Sequence, residues 1–186
     1  MKWVRETEVD MGIYADDLRE LVIRPTLVSL DEWSPTVENL LLGTAAQESL
    51  LGFKMQSPQE NGVGLYRISA HTHIQVWDQY LVTDPELASR VRGLASQQQF
   101  LKSPHTELIT NLGYATGIAW MIYKRHRQTL PEDADTSALA QYWLDFYNKR
   151  DDQNIQTIFN RDEAQVDKFV QNYRKLVLRE KKDLAA

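Results

Sequence analysis

Apolar residues recur every three or four positions along most of this chain, the spacing typical of helices packed on a shared core. Leu18, Leu21 and Val28 follow that spacing within residues 13–30. Pro25 lies inside the same segment. Because proline removes a helical hydrogen bond, we expect it to kink this helix or to divide it in two.

A clear helix start follows at Ser34 and Pro35, since serine caps helix N-termini and proline is favoured at the first helical position. The pattern predicts a helix from Pro35 to about Leu51, which Gly52 can end. The following polar, glycine-containing segment predicts a loop with a short β-hairpin around residues 62–68.

The rest of the chain predicts further helices. Their expected positions are from Ser69 through Leu81, from Asp84-Pro85, from Ser103-Pro104, around Leu139 to Phe146, and from Asp162 to Lys182. Residues 112–123 are apolar on all sides and predict a buried central helix. About seven helices with very little sheet are expected.

The expected fold class is therefore mostly α, in a single domain over residues 1–186. Residues 1–11 would form a polar arm, 13–34 the N-terminal helices, 35–150 the core of the domain and 151–186 a C-terminal helical extension. The apolar stripe of that extension could serve a partner or its own core.

The amino-acid composition limits the classes of function that this chain can have. The hydrophobic fraction is 42% and the charged fraction 25%, which is ordinary for a globular chain. A net charge of −5 argues against a general attraction to nucleic acid. The absence of cysteine excludes disulfides and thiol nucleophiles. No signal peptide is recognisable, the longest apolar run is too short to span a membrane, and no cofactor motif is present.

One carboxylate interrupts an apolar helix face. Counting on from Leu41 and Ala45 by three or four reaches Glu48, near the C-terminal end of the helix that begins at Pro35. Desolvation and the negative end of the helix dipole both raise the pKa of a carboxyl group. A carboxyl group that stays protonated near neutral pH can act as a general acid. A glutamate that simply turns outward to solvent is the alternative.

Three segments around this glutamate resemble lytic transglycosylases of the soluble kind found in phage virion proteins. Gly43-Thr-Ala-Ala-Gln-Glu-Ser49 is similar to the family's helix that ends in a catalytic Glu-Ser pair. Gly62-Val-Gly-Leu-Tyr-Arg-Ile68 is similar to its downstream Gly-Leu-Met-Gln-Ile type segment, and Tyr147-Asn148 to its later Tyr-Asn pair. The resemblance covers roughly residues 35–150 and implies a lysozyme-like fold.

The resemblance also implies a reaction. Glu48 would protonate the glycosidic oxygen between two sugars of peptidoglycan, and the C6 hydroxyl of the sugar would then attack to give a 1,6-anhydro product. The residues expected to bind substrate are Ser49, Gly64, Leu65, Tyr66, Arg67, Tyr147 and Asn148. Neither a metal nor another cofactor is expected. Glu60, the nearest further carboxylate, is expected to be a solvated loop charge.

Two departures from the family pattern leave a second hypothesis open. Arg67 stands where the family usually has Gln, and Ala70 where it has Pro. Arg67 could pair with Glu48 and lower its pKa, or it could bind a carboxylate of the glycan. The alternative function is a weakly active or inactive lysozyme-like structural component of a phage particle, in its tail or interior.

The expected partners are peptidoglycan glycan strands and other virion proteins, without nucleic acid and without membrane insertion. The expected location is the phage particle, or the bacterial periplasm and cell wall to which a particle delivers it. His71 and His73 are two residues apart and therefore do not share a helix face, so they predict surface or capping side chains rather than a metal site.

Overall fold

The protein is described from a computed structural model over residues 12–57, 60–131, 135–148 and 155–180. Its α-helices are α1 Ala15–Leu18, α2 Arg24–Ser29, α3 Pro35–Ser49, α4 Ala70–Gln75, α5 Pro85–Leu94, α6 Gln97–Lys102, α7 Glu107–Thr110, α8 Leu112–Lys124, α9 Thr136–Phe146 and α10 Ile155–Asn172. Turns of π-helix span Arg19–Ile23, Val76–Tyr80 and Tyr173–Val177, and 3-10 turns span Leu81–Thr83 and Pro104–Thr106. The mostly α prediction is confirmed, while the predicted arm at residues 1–11 lies outside the described residues.

The N-terminal helices are continuous across Pro25. Helix α1, the π-turn and α2 follow one another directly, so the expected division of this segment is wrong. A π-turn immediately precedes Arg24, and its wider hydrogen-bond pattern accommodates a residue that has no N–H to donate. The helical segment therefore continues through the proline.

Helix α3 begins as predicted and ends earlier than predicted. The Oγ atom of Ser34 accepts a hydrogen bond from the Val37 N–H at 3.2 Å. The helix stops at Ser49 because Leu50 adopts a left-handed backbone, with φ of 54°. Apolar periodicity continues through Leu50 and Leu51, so the pattern alone overestimates the length of the helix.

A small antiparallel sheet follows α3. Its strands are β1 Gln56–Ser57, β2 Glu60–Val63 and β3 Ile68–Ser69, in the order β1-β2-β3. The pairing of Val63 with Ile68 confirms the predicted hairpin. Strand β1 was not predicted, because two residues are too few to show an alternating pattern.

The helix predicted to begin at Ser103-Pro104 is interrupted. A 3-10 turn and α7 come first, and Asn111 then takes an extended conformation and caps α8, its side chain accepting from the Tyr114 N–H at 3.0 Å. Helix α8 is buried from Tyr114 to Tyr123, which confirms the predicted central helix. An asparagine cap within an apolar run therefore makes two helices where periodicity predicts one.

The C-terminal helix packs onto the rest of the core. Helix α10 begins at Ile155 rather than at Asp162. Phe169 and Tyr173, from its apolar stripe, are buried against α3, so this stripe serves the chain's own core. A Cβ atom on Gly43 would lie 2.3 Å from Cζ of Phe169, so close contact between the helices requires glycine at that position.

A buried ion cluster fixes the N-terminal end of α3. The carboxylate of Glu38 is 2% exposed, and it accepts from Arg24 Nε at 2.8 Å, from Trp33 Nε1 at 2.8 Å and from Arg19 at 2.5 Å. Burial alone would raise the pKa of Glu38, but these donors together lower it to about 2. The cluster joins α3 to the N-terminal helices through charged hydrogen bonds.

Replacement of Glu38 by glutamine is expected to lower the free energy of unfolding by about 2 kcal/mol at pH 7, because several charge-assisted hydrogen bonds are lost. The folded-state pKa lies below the ordinary value of 4.5, so the contribution of Glu38 is full above pH 4.5 and declines as pH falls towards 2. Urea unfolding of the wild type and Glu38→Gln at several pH values checks this. The half-exposed Glu20 provides the control, since Glu20→Gln should cost less than about 0.5 kcal/mol. A difference between wild type and Glu38→Gln that does not shrink in acid would contradict the analysis.

Candidate functional site

Glu48 lies where the buried helix α3 reaches the surface. Residues from Leu40 to Ala46 are fully buried, whereas Glu48, in the last turn, is partly exposed. One oxygen of its carboxylate, Oε1, accepts a hydrogen bond from Trp143 Nε1 at 2.9 Å. The glutamate is therefore neither in the dry core nor free in solvent, and its carboxylate is held by α9.

Ser49 connects the end of α3 to the β2–β3 turn. Its side chain is fully buried, and the hydroxyl donates to the Leu65 carbonyl at 2.6 Å. The same oxygen accepts from the Gly52 N–H at 2.8 Å, just after the left-handed turn at Leu50. Ser49 thus positions the backbone around Glu48 and holds the hairpin turn close to the helix end.

The turn from Gly64 to Arg67 lies against α7. Gly64 has a φ of 79°, and a Cβ atom there would lie 1.9 Å from the Leu108 carbonyl oxygen, so only glycine fits. The side chains of Leu65 and Tyr66 are both fully buried. These two residues offer their backbone carbonyls to the site, whereas their side chains belong to the core.

The two tyrosines of this region have different surroundings. The Tyr66 hydroxyl lies 3.1 Å from Thr116 Oγ1 inside the core. The Tyr147 hydroxyl donates to the Tyr66 carbonyl at 2.7 Å. The hairpin turn is therefore hydrogen-bonded on one side to Ser49 and on the other to the residue that follows α9.

Glu48 also lies close to two buried phenols. Burial raises the pKa values of Tyr123 and Tyr147 well above the ordinary value, and the negative charge of Glu48 adds to both shifts. The hydroxyl of Tyr123 lies 2.6 Å from Thr44 Oγ1, one turn earlier on α3. Both phenols consequently stay neutral at any pH at which the glutamate titrates.

Arg67 contacts the segment that follows α3. Its backbone is left-handed, with φ of 45°, and its Nε and a terminal nitrogen donate to the Lys54 carbonyl at 3.2 and 3.0 Å. Ala70 occupies the first position of α4, after the Ser69 cap. Proline is favoured at the first position of a helix, and alanine is accommodated there in α4.

Asn148 contacts the C-terminal helix. Its amide donates to the Gln165 side chain of α10. A second amide pair lies beside Glu48, where Asn172 Nδ2 donates to Gln47 Oε1 at 2.8 Å. The described contact of Asn148 is therefore with α10.

Trp143 is not among the residues predicted to form the site, because an aromatic residue at helical core spacing is usually a packing residue. It is indeed 2% exposed, yet its ring nitrogen holds Glu48. Trp143 and Tyr147 are four residues apart, which places both side chains on one face of the helix. The sequence did contain one signal for it, since this tryptophan lies one helical turn before the Tyr-Asn pair that was predicted to belong to the site.

His73 does not lie where the sequence predicts. His71 is exposed, as expected, whereas His73 is 1% exposed, so its predicted surface position is wrong. Nδ1 of His73 lies 2.9 Å from Nδ1 of His105, and its Nε2 lies 2.6 Å from the Tyr114 hydroxyl. Burial, together with the charge of His105, lowers the pKa of His73 to about 4. The helical face of His73 points inward because Val76 and Trp77 anchor the same turn.

No group of three or more His, Asp or Glu side chains able to hold a metal ion occurs within residues 12–57, 60–131, 135–148 and 155–180. In the same part of the chain, no helix is long and apolar enough to cross a membrane. The side chain of Glu60, the further carboxylate considered above, lies outside the described residues.

The chain was compared with protein-family models, curated proteins and solved structures, and none of them matches it.

Replacement of Gly64 by alanine is expected to destabilise the protein by about 3 kcal/mol or more, because the new methyl group would overlap the Leu108 carbonyl and the backbone is left-handed. Gly93 in α5 is the matched control, since a Cβ atom there meets nothing within 4 Å. Gly93→Ala should stabilise the helix by about 0.5–1 kcal/mol. Urea unfolding of both variants tests this prediction. Equal effects of the two substitutions would show that the turn does not contact α7 as described.

Proposed function

We propose that this protein is a peptidoglycan-cleaving lytic transglycosylase with a lysozyme-like fold, carried in a phage particle, and that Glu48 is its general acid and base. The observation that carries the proposal is that three distant sequence segments meet at the end of α3, which carries Glu48. The end of α3, the Gly64–Arg67 turn and the residue after α9 are far apart in sequence, yet Ser49 and Tyr147 hydrogen-bond the same turn beside Glu48.

The surroundings of Glu48 suit proton transfer. It is partly desolvated, it lies at the negative end of α3, and its neighbouring phenols are neutral. Partial burial and the helix dipole favour the protonated carboxyl group, while the Trp143 N–H favours the carboxylate. A group balanced between these influences can give a proton to a glycosidic oxygen and then take one back.

A reaction with one carboxylate fits the arrangement of α3. Glycosidases that use two carboxylates hold them roughly 5 to 10 Å apart. Glu38, the other acidic residue of α3, is ten residues earlier, about 15 Å along the axis, and is bound in its own ion cluster. Attack by the C6 hydroxyl of the sugar itself requires no second carboxylate, and its product is a 1,6-anhydro sugar.

Roles follow for the other residues. Ser49 and Tyr147 fix the hairpin turn by hydrogen bonds to the Leu65 and Tyr66 carbonyls, and we assign the backbone of Gly64 and Leu65 to substrate binding. Arg67, fastened to the Lys54 carbonyl, provides a positive charge on the hairpin that suits the carboxylates of a peptidoglycan strand. Peptidoglycan is thus the proposed partner, and the other proteins of the particle are the proposed neighbours.

A second function is favoured by one observation. The Asn148 amide, expected to bind substrate, is engaged by Gln165 of α10. A lysozyme-like structural component of a virion, without catalysis, would tolerate that contact. The two functions differ in whether intact protein cleaves glycan strands.

Glu48→Gln is expected to reduce the rate of cleavage at least about 100-fold, because the substituted side chain cannot transfer a proton. Loss of turbidity of purified peptidoglycan, with product masses, measures the rate and detects 1,6-anhydro ends. Glu86→Gln, at an exposed carboxylate of α5, is the control and should retain the wild-type rate. Folded wild type that releases no product between pH 4 and 8 would rule out the enzyme and favour the structural component.

A further inference from the structure

We propose that Trp143 is a positioning residue for Glu48 and that helix α10 braces it through Phe169, so that the C-terminal helix is part of the site. This inference rests on the proposed function for its catalytic meaning. Its structural content, a link from α10 through Trp143 to the carboxylate, can be tested separately.

The first contact is the hydrogen bond from Trp143 Nε1 to Glu48 Oε1, at 2.9 Å. Indole is a donor only, so this bond can stabilise a carboxylate oxygen but cannot accept the proton of a carboxyl group on that oxygen. The bond also orients the carboxylate, because Trp143 is 2% exposed and its ring cannot turn freely in a packed core.

The second contact is made by α10. The ring of Phe169 lies 5.5 Å from that of Trp143, centroid to centroid, and it is fully buried. Phe169 in turn stacks on Tyr173, with 12° between the ring planes. The Trp143 indole is therefore backed by an aromatic stack that comes from the far end of the chain.

The third observation is that α10 is fixed to both elements of the site. Asn172 binds Gln47, the residue before Glu48, and Gln165 binds Asn148, just after α9. The contact of Phe169 with Gly43 determines how closely α10 approaches α3. A helix held at these points cannot shift without moving Trp143 relative to the carboxylate.

The two buried phenols close to Glu48 do not titrate together with it. The charge of Glu48 raises the pKa values of Tyr123 from α8 and Tyr147 after α9, so both phenols remain neutral while Glu48 titrates. A change at Trp143 should therefore appear in the titration of Glu48 itself.

Trp143→Phe removes the donor and keeps most of the ring. With glutamates labelled at the carboxyl carbon, and the Glu48 signal identified by its absence in Glu48→Gln, the expected result is a rise of about one unit in the pKa of Glu48. The alkaline limb of the pH–rate profile should move to higher pH with it. The maximal rate should fall because the Glu48 carboxyl group is no longer oriented by the indole. Trp120→Phe is the matched control, because Trp120 Nε1 donates to a different carboxylate, that of Glu32, at 3.2 Å.

Two further measurements test the link without depending on the folding of that variant. In the wild-type protein, the indole N–H signal of Trp143 should shift with the same midpoint as the Glu48 carboxyl signal, and the shift should vanish in Glu48→Gln. Phe169→Leu should move the Glu48 midpoint in the same direction as Trp143→Phe, by a smaller amount.

The outcomes separate the two proposals. The role of Trp143 would be overturned if its indole N–H signal did not shift when Glu48 titrates. It would also be overturned if the titration midpoint of Glu48 were unchanged in both Trp143→Phe and Phe169→Leu. If the titrations behave as expected and wild type cleaves no glycan, the link between Trp143 and Glu48 stands and the proposed enzymatic function fails.

Discussion

A helix buried along most of its length reaches solvent only at its ends, and Glu48 lies at such an end of α3. The helix is surrounded by α8, α9 and α10, and its residues from Leu40 to Ala46 are inaccessible to solvent. The left-handed residue Leu50 stops it one turn later. The place and surroundings of the carboxylate are therefore consequences of how the core closes around this helix.

The carboxylates at the two ends of α3 have different surroundings. Glu38 is surrounded by two guanidinium groups and an indole N–H, so it remains ionised and holds the N-terminal helices in place. At Glu48 a neutral indole N–H donates to the carboxylate, and two buried phenols lie close to it. A fixed charge stabilises the fold, whereas the proposed proton transfer at Glu48 requires a carboxylate that can gain and lose a proton.

Much of the architecture was predictable from local signals, because caps and apolar spacing act within a few residues. Ser34, Ser69 and Asp84 cap helices where the sequence indicates, and the β2–β3 hairpin lies where glycine and polar residues predict it. The break at Asn111 and the early start of α10 escaped prediction. An asparagine within an apolar run has no distinctive period, and the first turn of α10 directly follows the polar residues 149–154, which resemble a loop.

The site was predictable to a smaller extent, because its contacts join residues distant in sequence. The position of Glu48 on an apolar stripe was visible, and the sequence segments around it could be aligned with a family pattern. The donor on Trp143 was not visible, since tryptophan at core spacing looks the same whether or not its nitrogen has a polar partner. The contact between Arg67 and Lys54 depends on a left-handed backbone that no residue type there requires.

The pairing of α10 with α3 has a consequence for biosynthesis. Gln47 and Asn172, which meet beside the carboxylate, are separated by 125 residues. A chain emerging from the ribosome would expose α3 long before the helix that closes over Gly43 has been made, and such distant contacts form late. In the nascent polypeptide, the contacts of α10 with α3 and α9 would therefore form only after α10 has been synthesised. The surroundings of Glu48 would be complete only from that point on.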